Sequence, residues 1–254
     1  MAFPASLGGV CRKRRFSLLL EPAYSGLLGL TVMEVGGSSF GAPVRITASV
    51  YPGSRGIVDV EREVELGQAI HSKGVMILTG YLGHTYAQQF PFAISSSIAI
   101  EQSYGYIDGD SASLAELCCL ISALTRVPIK QTFAVTGSIN QYGEVQAVGG
   151  VNEKIEGFFR LCQARGLNGQ HAAIIPAANK RNLMLKQEVI DAVAKGLFAV
   201  YAVSSVDETL ELLTGHSAGV LDSQGLYPEH TINFKAISRL KEISDMAGDE
   251  EEGA

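Results

Sequence analysis

Ser111 stands in the run Asp108-Gly109-Asp110-Ser111-Ala112-Ser113, a glycine-bearing loop ahead of a strongly apolar stretch. That setting suits a nucleophile. Residues 111–126 carry the pattern of a buried helix. The start of a helix offers free backbone N–H groups and a positive dipole end. Such groups stabilise the oxyanion formed when a hydroxyl attacks a carbonyl. The glycine lets another backbone approach closely. The same residues also suit plain helix capping by Asp110 or Ser111, which is common.

A serine nucleophile needs a base. Lys154 closes the run Gly149-Gly150-Val151-Asn152-Glu153-Lys154, near the start of a helix expected over 152–165. Its neighbours Val148, Val151 and Ile155 are apolar. Desolvation near a positive dipole end lowers the proton affinity of an amine, and a neutral amine can accept the serine proton. The blander reading is an exposed lysine whose alkyl stem covers apolar surface. Taken singly, each residue is better explained by its bland role.

Other chemistries find little support. No GxxxxGK[ST] occurs, so the 254 residues contain no phosphate-binding P-loop. No HExxH occurs, and Gly36-Gly37-Ser38-Ser39-Phe40-Gly41 does not fit GxGxxG. His71, His84, His171, His216 and His230 lie far apart, with no carboxylate or cysteine at ligand spacing, so no metal site and no resident cofactor are expected. Gly215-His216-Ser217-Ala218-Gly219 matches the GxSxG nucleophile elbow. That elbow needs a strand before the serine, whereas 207–213 read as a helix; Gly215 is expected to cap it, and a Ser-His hydrolase at Ser217 is disfavoured.

The elements that must position these residues are regular from Leu27 onward. Strands are expected over 29–35, 44–50, 56–60 and 94–100, with a hairpin connection through Gly36–Ser39 and Gly41–Pro43. A glycine-weakened helix spans 68–88. After the buried helix, strands are expected at 131–136 and 144–147. The last third alternates strand 172–175, helix 186–194, strand 198–202 and helix 206–213, the pattern of a small α/β layer. Residues 234–246 suit a terminal amphipathic helix, and Asp249-Glu250-Glu251-Glu252 a solvated acidic tail.

The composition, 46% hydrophobic and 18% charged, supports a sizeable core. A net charge of −6 argues against nucleic-acid binding. No apolar run reaches the roughly 20 residues of a membrane helix. Cys11-Arg12-Lys13-Arg14-Arg15 before Phe16–Leu20 loosely mimics a signal peptide, but Glu21-Pro22 ends the apolar stretch and no small-residue cleavage site follows. Cys11, Cys118, Cys119 and Cys162 form no CxxC pair and read as reduced thiols, pointing to a reducing compartment.

In order along the chain, several segments resemble the proteolytic domain of Lon proteases, most closely the LonB-like branch. They are Asp108-Gly109-Asp110-Ser111-Ala112-Ser113-Leu114-Ala115-Glu116, Phe133-Ala134-Val135-Thr136-Gly137-Ser138, and Gly143-Glu144-Val145-Gln146-Ala147-Val148-Gly149-Gly150-Val151-Asn152-Glu153-Lys154. Asp59-Val60-Glu61-Arg62-Glu63, His71-Ser72-Lys73-Gly74-Val75 and Ile174-Ile175-Pro176-Ala177-Ala178-Asn179 are similar too, and the gap of 43 residues from Ser111 to Lys154 matches the family. The resemblance covers about 27–219.

It implies an α/β (α+β) fold like ribosomal protein S5 domain 2, with small mixed sheets and packed helices. It implies a domain at 26–220, an irregular or non-native extension at 1–25, and a C-terminal extension with an acidic tail at 221–254. The implied activity is serine endopeptidase cleavage of unfolded or damaged polypeptides through an acyl-enzyme, with Ser111 as nucleophile and Lys154 as base. Thr136 matches the threonine that orients the lysine amine. Asp108 matches an acidic position that either meets the lysine or shapes the loop. The backbone N–H groups of Gly109, Asp110 and Ser111 are the candidate oxyanion hole. Whole members carry an ATPase module ahead of this domain, so ATP with Mg would enter only through such a module. A homohexameric ring, a cytoplasmic location and no membrane or nucleic-acid partner are the further expectations. The competing expectation is a catalytically weak regulatory or scaffold domain that oligomerises and captures unfolded chains.

Overall fold

The structure, a computed structural model, describes residues 26–252. The sequence readings on residues 1–25, including the basic run and Cys11, lie outside the described residues.

Chain order builds β1 (Gly26–Val35), β2 (Ser38–Pro52), β3 (Gly56–Asp59), a one-turn α1 (Val60–Glu63), α2 (Ala69–Tyr86), β4 (Ile94–Glu101), α3 (Ser113–Thr125) and β5 (Phe133–Val135). A short pair β6 (Ser138–Ile139) and β7 (Val145–Gln146) leads to α4 (Val151–Gln163). Then follow β8 (Ala172–Pro176), a 3₁₀ turn, α5 (Gln187–Ala194), β9 (Ala199–Val203), α6 (Val206–Thr214) and α7 (Ile232–Glu252).

The first hairpin is longer than its sequence suggests. Gly36 and Gly37 both take positive φ, 59° and 76°. Two such residues form the tight turn that matches strand twist. Val35 therefore pairs directly with Ser38, and the expected loop at 38–43 is strand instead. Seven strands join one sheet in the order β3-β4-β2-β1-β5-β8-β9. β1–β2 and β2–β4 are antiparallel, and the other four pairings are parallel. The mixed, helix-covered architecture is the expected α/β class. The sheet is larger than the small sheets foreseen, because three-residue β5 pairs parallel with both β1 and β8 and welds the two halves together.

Adjacent residues of a strand point to opposite faces. Phe133 and Val135 accordingly join one core with α2, α3, α6 and α7, while Ala134 joins a second core with α4 and α5. α3 lies in the larger core with Leu114, Leu117, Cys118 and Ile121 fully buried, as its unbroken apolar pattern requires. Cys118, Cys119 and Cys162 are free and buried, and burial pushes the Cys119 thiol up to about 12. Gly215 caps α6 in the left-handed conformation, and Ser217 Oγ reaches Glu211 Oε1 at 3.3 Å, so no nucleophile elbow forms at 215–219.

The C-terminal helix α7 seals the larger core through Ile232, Ala236, Leu240 and Ile243. Its first turn is pinned by the buried Tyr86 hydroxyl of α2, which donates to Asn233 Oδ1 at 2.7 Å. Tyr86→Phe removes the donor and leaves a buried acceptor. It should lower stability by about 1–3 kcal/mol in urea denaturation. A change within error would show that α7 docks through its apolar contacts alone. None of the described helices is long and apolar enough to cross a membrane.

Candidate active site

Ser111 and Lys154 reach each other from opposite faces of the sheet. Ser111 precedes α3, on one face; Lys154 is the fourth residue of α4, on the other. They meet beyond the carboxyl end of β5, where Thr136 follows directly on Val135. Parallel strands leave crevices at that end, which is where ligands bind in α/β sheets.

The helix expected from 111 starts two residues later. Ala112 is its cap residue and makes no side-chain cap bond. The reason is local bonding. The Ser111 carbonyl accepts from Gly137 N at 3.0 Å and from Thr136 Oγ1 at 3.3 Å, while Leu114 N donates to Gly137 O. These bonds tie the turn at 110–112 to the β5 exit. The capping role that competed for Ser111 is not what its hydroxyl does. Its Oγ lies 2.9 Å from Lys154 Nζ, and Lys154 Nζ lies 3.0 Å from Thr136 Oγ1.

Lys154 is 4% exposed and Thr136 is fully buried. Among the described residues no carboxylate comes within 4.0 Å of the amine. Burial lowers the Lys154 pKa to about 8, against an opposing pull from the Asp110 charge. Asp108 lies on the wall of the same cleft, where its Oδ1 accepts from Gly109 N at 2.9 Å. Of the two readings open for Asp108, this contact belongs to loop shaping, and the acidic charge felt by Lys154 is that of Asp110. The cleft has a volume of about 400 Å³ and is lined by Thr31, Val32, Glu34, Asp108, Gly149 and Glu153 besides the pair. A larger hollow of about 720 Å³, walled by Tyr86, Phe90, Asp207, Tyr227 and Phe234, contains no serine–lysine pair of this kind.

α4 is held at this distance by two glycines. A Cβ at Gly41 of β2 would strike the Glu153 carbonyl and come within 2.6 Å of Lys154 Cα. One at Gly157 would strike the Gly41 carbonyl. Helix and strand therefore cross in backbone contact; in the sequence Gly41 reads only as part of a hairpin connection, and Gly157 carries no signal.

A second buried group was also missed. His71 of α2 sits 3.3 Å from Asp59 Oδ2 and 3.9 Å from Glu116 Oε1, beside Glu61. Sequence separation hid these partners; the runs holding Asp59, Glu61, His71 and Glu116 stood out only as family-like text. Burial draws His71 down, but the close approach of the Asp59 carboxylate to its ring nitrogen, with the charges of Glu116, Asp59 and Glu61, outweighs it and raises its pKa. Burial pushes Glu116 up to about 7.

Comparison with known proteins gives this geometry its class. The family model described as the Lon protease (S16) C-terminal proteolytic domain matches residues 27–215, so the domain is of a peptidase class. A Lon protease homolog of Escherichia coli K12 is 50% identical over 188 residues, covering 72% of this chain and 32% of that protein. One from Haemophilus influenzae is 46% identical over 216 residues, covering 84% of this chain and 35% of that protein. An archaeal Lon protease of Methanocaldococcus jannaschii is 40% identical over 116 residues, covering 46% of this chain and 15% of that protein. The chain belongs to the Lon protease family, by its proteolytic domain, and spans about a third of the length of its first two relatives.

Proposed function

We propose that the chain is a serine endopeptidase in which Ser111 attacks the peptide carbonyl and Lys154 is the general base. The observation that carries this reading is the buried amine 2.9 Å from the Ser111 hydroxyl, with no carboxylate among the described residues in salt-bridge range. Thr136 Oγ1 accepts one N–H of the neutral amine, which turns the nitrogen lone pair toward the Ser111 O–H. The amine takes that proton as Oγ bonds to the carbonyl carbon. Backbone N–H groups of the 109–111 loop hold the resulting oxyanion; that of Gly109 is already directed at Asp108, which favours Asp110 and Ser111 as donors. The lysine ammonium then protonates the departing amine, leaving an acyl-enzyme on Ser111. A water gives its proton to the lysine, attacks the ester, and frees the serine. Asp110 favours the charged intermediate form of Lys154, which offsets part of its desolvation.

Unfolded polypeptides fit an open cleft lined along β1 by Thr31, Val32 and Glu34. ATP-driven unfolding belongs to an ATPase module of the kind whole Lon enzymes carry, and a hexameric ring is the assembly that family membership suggests.

A serine-reactive sulfonyl fluoride should add one adduct to the chain by intact mass, and none to Ser111→Ala. Cleavage of an unfolded peptide should follow the neutral fraction of Lys154. With its pKa lowered to about 8, kcat/KM should rise from pH 6 and level off above roughly pH 9. Adducts on Ser111→Ala, or a profile that is flat from pH 6 to 9, would contradict the assignment.

A further inference from the structure

We propose that Asp59, Glu61 and His71 bind one first-row divalent metal ion, zinc(II) by preference, with Glu116 orienting the histidine. Among the described residues, seven buried side-chain nitrogen or oxygen atoms have no hydrogen-bond partner, and four of them converge here: Asp59 Oδ2, Glu61 Oε2, His71 Nε2 and Glu116 Oε1. Each metal-facing carboxylate is anchored through its other oxygen. Asp59 Oδ1 accepts from Glu61 N at 3.1 Å, and Glu61 Oε1 accepts from Ile100 N at 2.8 Å. Buried polar atoms are nearly always satisfied, so the orphans on Asp59, Glu61 and His71 call for a shared ligand, while that of Glu116 lies on the far side of the imidazole.

The spacing suits a metal. Asp59 Oδ2 and His71 Nε2 are 3.3 Å apart, close enough for an ion pair yet outside hydrogen-bond geometry. Two ligands about 2.0–2.1 Å from a tetrahedral zinc ion are separated by roughly 3.3 Å. One ligand atom from each of Asp59, Glu61 and His71 lies within 4.8 Å of the others, so a modest rotation of the Glu61 carboxylate completes three ligands. On the far side of the ring, His71 Nδ1 faces Glu116 Oε1 at 3.9 Å. An outer carboxylate on the second imidazole nitrogen is the usual partner of a metal-bound histidine. Charge points the same way. Three buried carboxylates face one imidazole, and a divalent cation offsets that surplus where a histidine proton cannot do so alone. A mixed set of one imidazole and two carboxylates favours zinc, with manganese(II) second.

The site joins the end of β3, α1 and α2, while Glu116 stands on α3, the helix that follows Ser111. The ligands are 4% exposed or less, so the ion enters as the chain folds. The chain unfolded, refolded in zinc chloride and then desalted should retain one zinc per chain by mass spectrometry, and the chain refolded in EDTA none. Zinc should raise its melting temperature by several degrees. His71→Gln and Asp59→Asn should each lose the retained zinc and the shift, and Glu116→Gln should bind about 10–100-fold more weakly. Cobalt(II) refolded into the unaltered chain should give weak visible bands without thiolate charge-transfer absorption, a readout that needs no variant to fold. No retained zinc, zinc retained equally in His71→Gln and Asp59→Asn, or a thiolate band from the cysteines would overturn the assignment. All of these readouts are independent of peptidase activity, so the site stands or falls apart from the Ser111–Lys154 reading.

Discussion

Lys154→Met should abolish peptidase activity and make the fold more stable. Loss of the proposed base removes the amine 2.9 Å from the Ser111 hydroxyl, so kcat/KM should fall by about 10⁴-fold or more. Ser111→Ala should do the same, and the double variant should be no worse, because a nucleophile and its base act as one unit. Stability moves the other way. Burial lowers the Lys154 pKa from 10.5 to about 8, and the folded state carries that penalty whenever the amine is charged. At 1.36 kcal/mol per pKa unit the penalty is on the order of 3 kcal/mol. The two hydrogen bonds lost with the amine offset part of the gain. The folded pKa lies below the unfolded one, so between about pH 8 and 10.5 the unfolded chain holds more protons and stability rises with pH. The advantage of Lys154→Met should therefore be largest below pH 8 and fade toward pH 10.5, in urea titrations of both proteins. Activity within tenfold of the parent would show that Lys154 is not the base, and a variant less stable at pH 7 would show that it is not a strained charge.

Gly41→Ala should damage both stability and catalysis although it touches no reacting atom. The added methyl meets main chain at Glu153 and Lys154, and main chain cannot rotate away. α4 must shift outward, which opens the packing of Val151, Ile155, Phe158 and Phe159 against the sheet. Overpacking of this kind costs about 1–3 kcal/mol or more. A shift near 1 Å at Lys154 lengthens its 2.9 Å approach to Ser111, and misplacement on that scale can lower the rate about 10²-fold. Gly157→Ala should behave alike because its methyl meets the Gly41 main chain. Thermal melts together with peptide cleavage by the folded fraction separate the two effects. Parent-like values for both in either variant would mean that the crossing tolerates a side chain.

Much of the framework could be read from residue order. Apolar runs and turn residues located most strands and helices within a few positions. The uninterrupted apolar face of 111–126 marked α3 as buried, and Gly215 read correctly as a cap. The errors share a cause. Ser38–Pro43 looked like loop because its glycines and proline weaken strand propensity, yet pairing with β1 extends the strand through them. The start of α3 moved to Ser113 because Thr136 and Gly137, distant in sequence, claim the Ser111 carbonyl.

By itself, the sequence determined the local elements and the two glycine-bearing loops that hold Ser111 and Lys154, since propensity, periodicity and turn chemistry act over a few residues. Tertiary structure alone decided that the serine faces the lysine rather than capping its helix, that burial lowers the lysine pKa against the pull of Asp110, and that His71 lies among Asp59, Glu61 and Glu116. Those outcomes depend on desolvation and on approach between segments dozens of residues apart. Both arise only once β5 joins β1 to β8 and a pair of glycines lets α4 settle against β2.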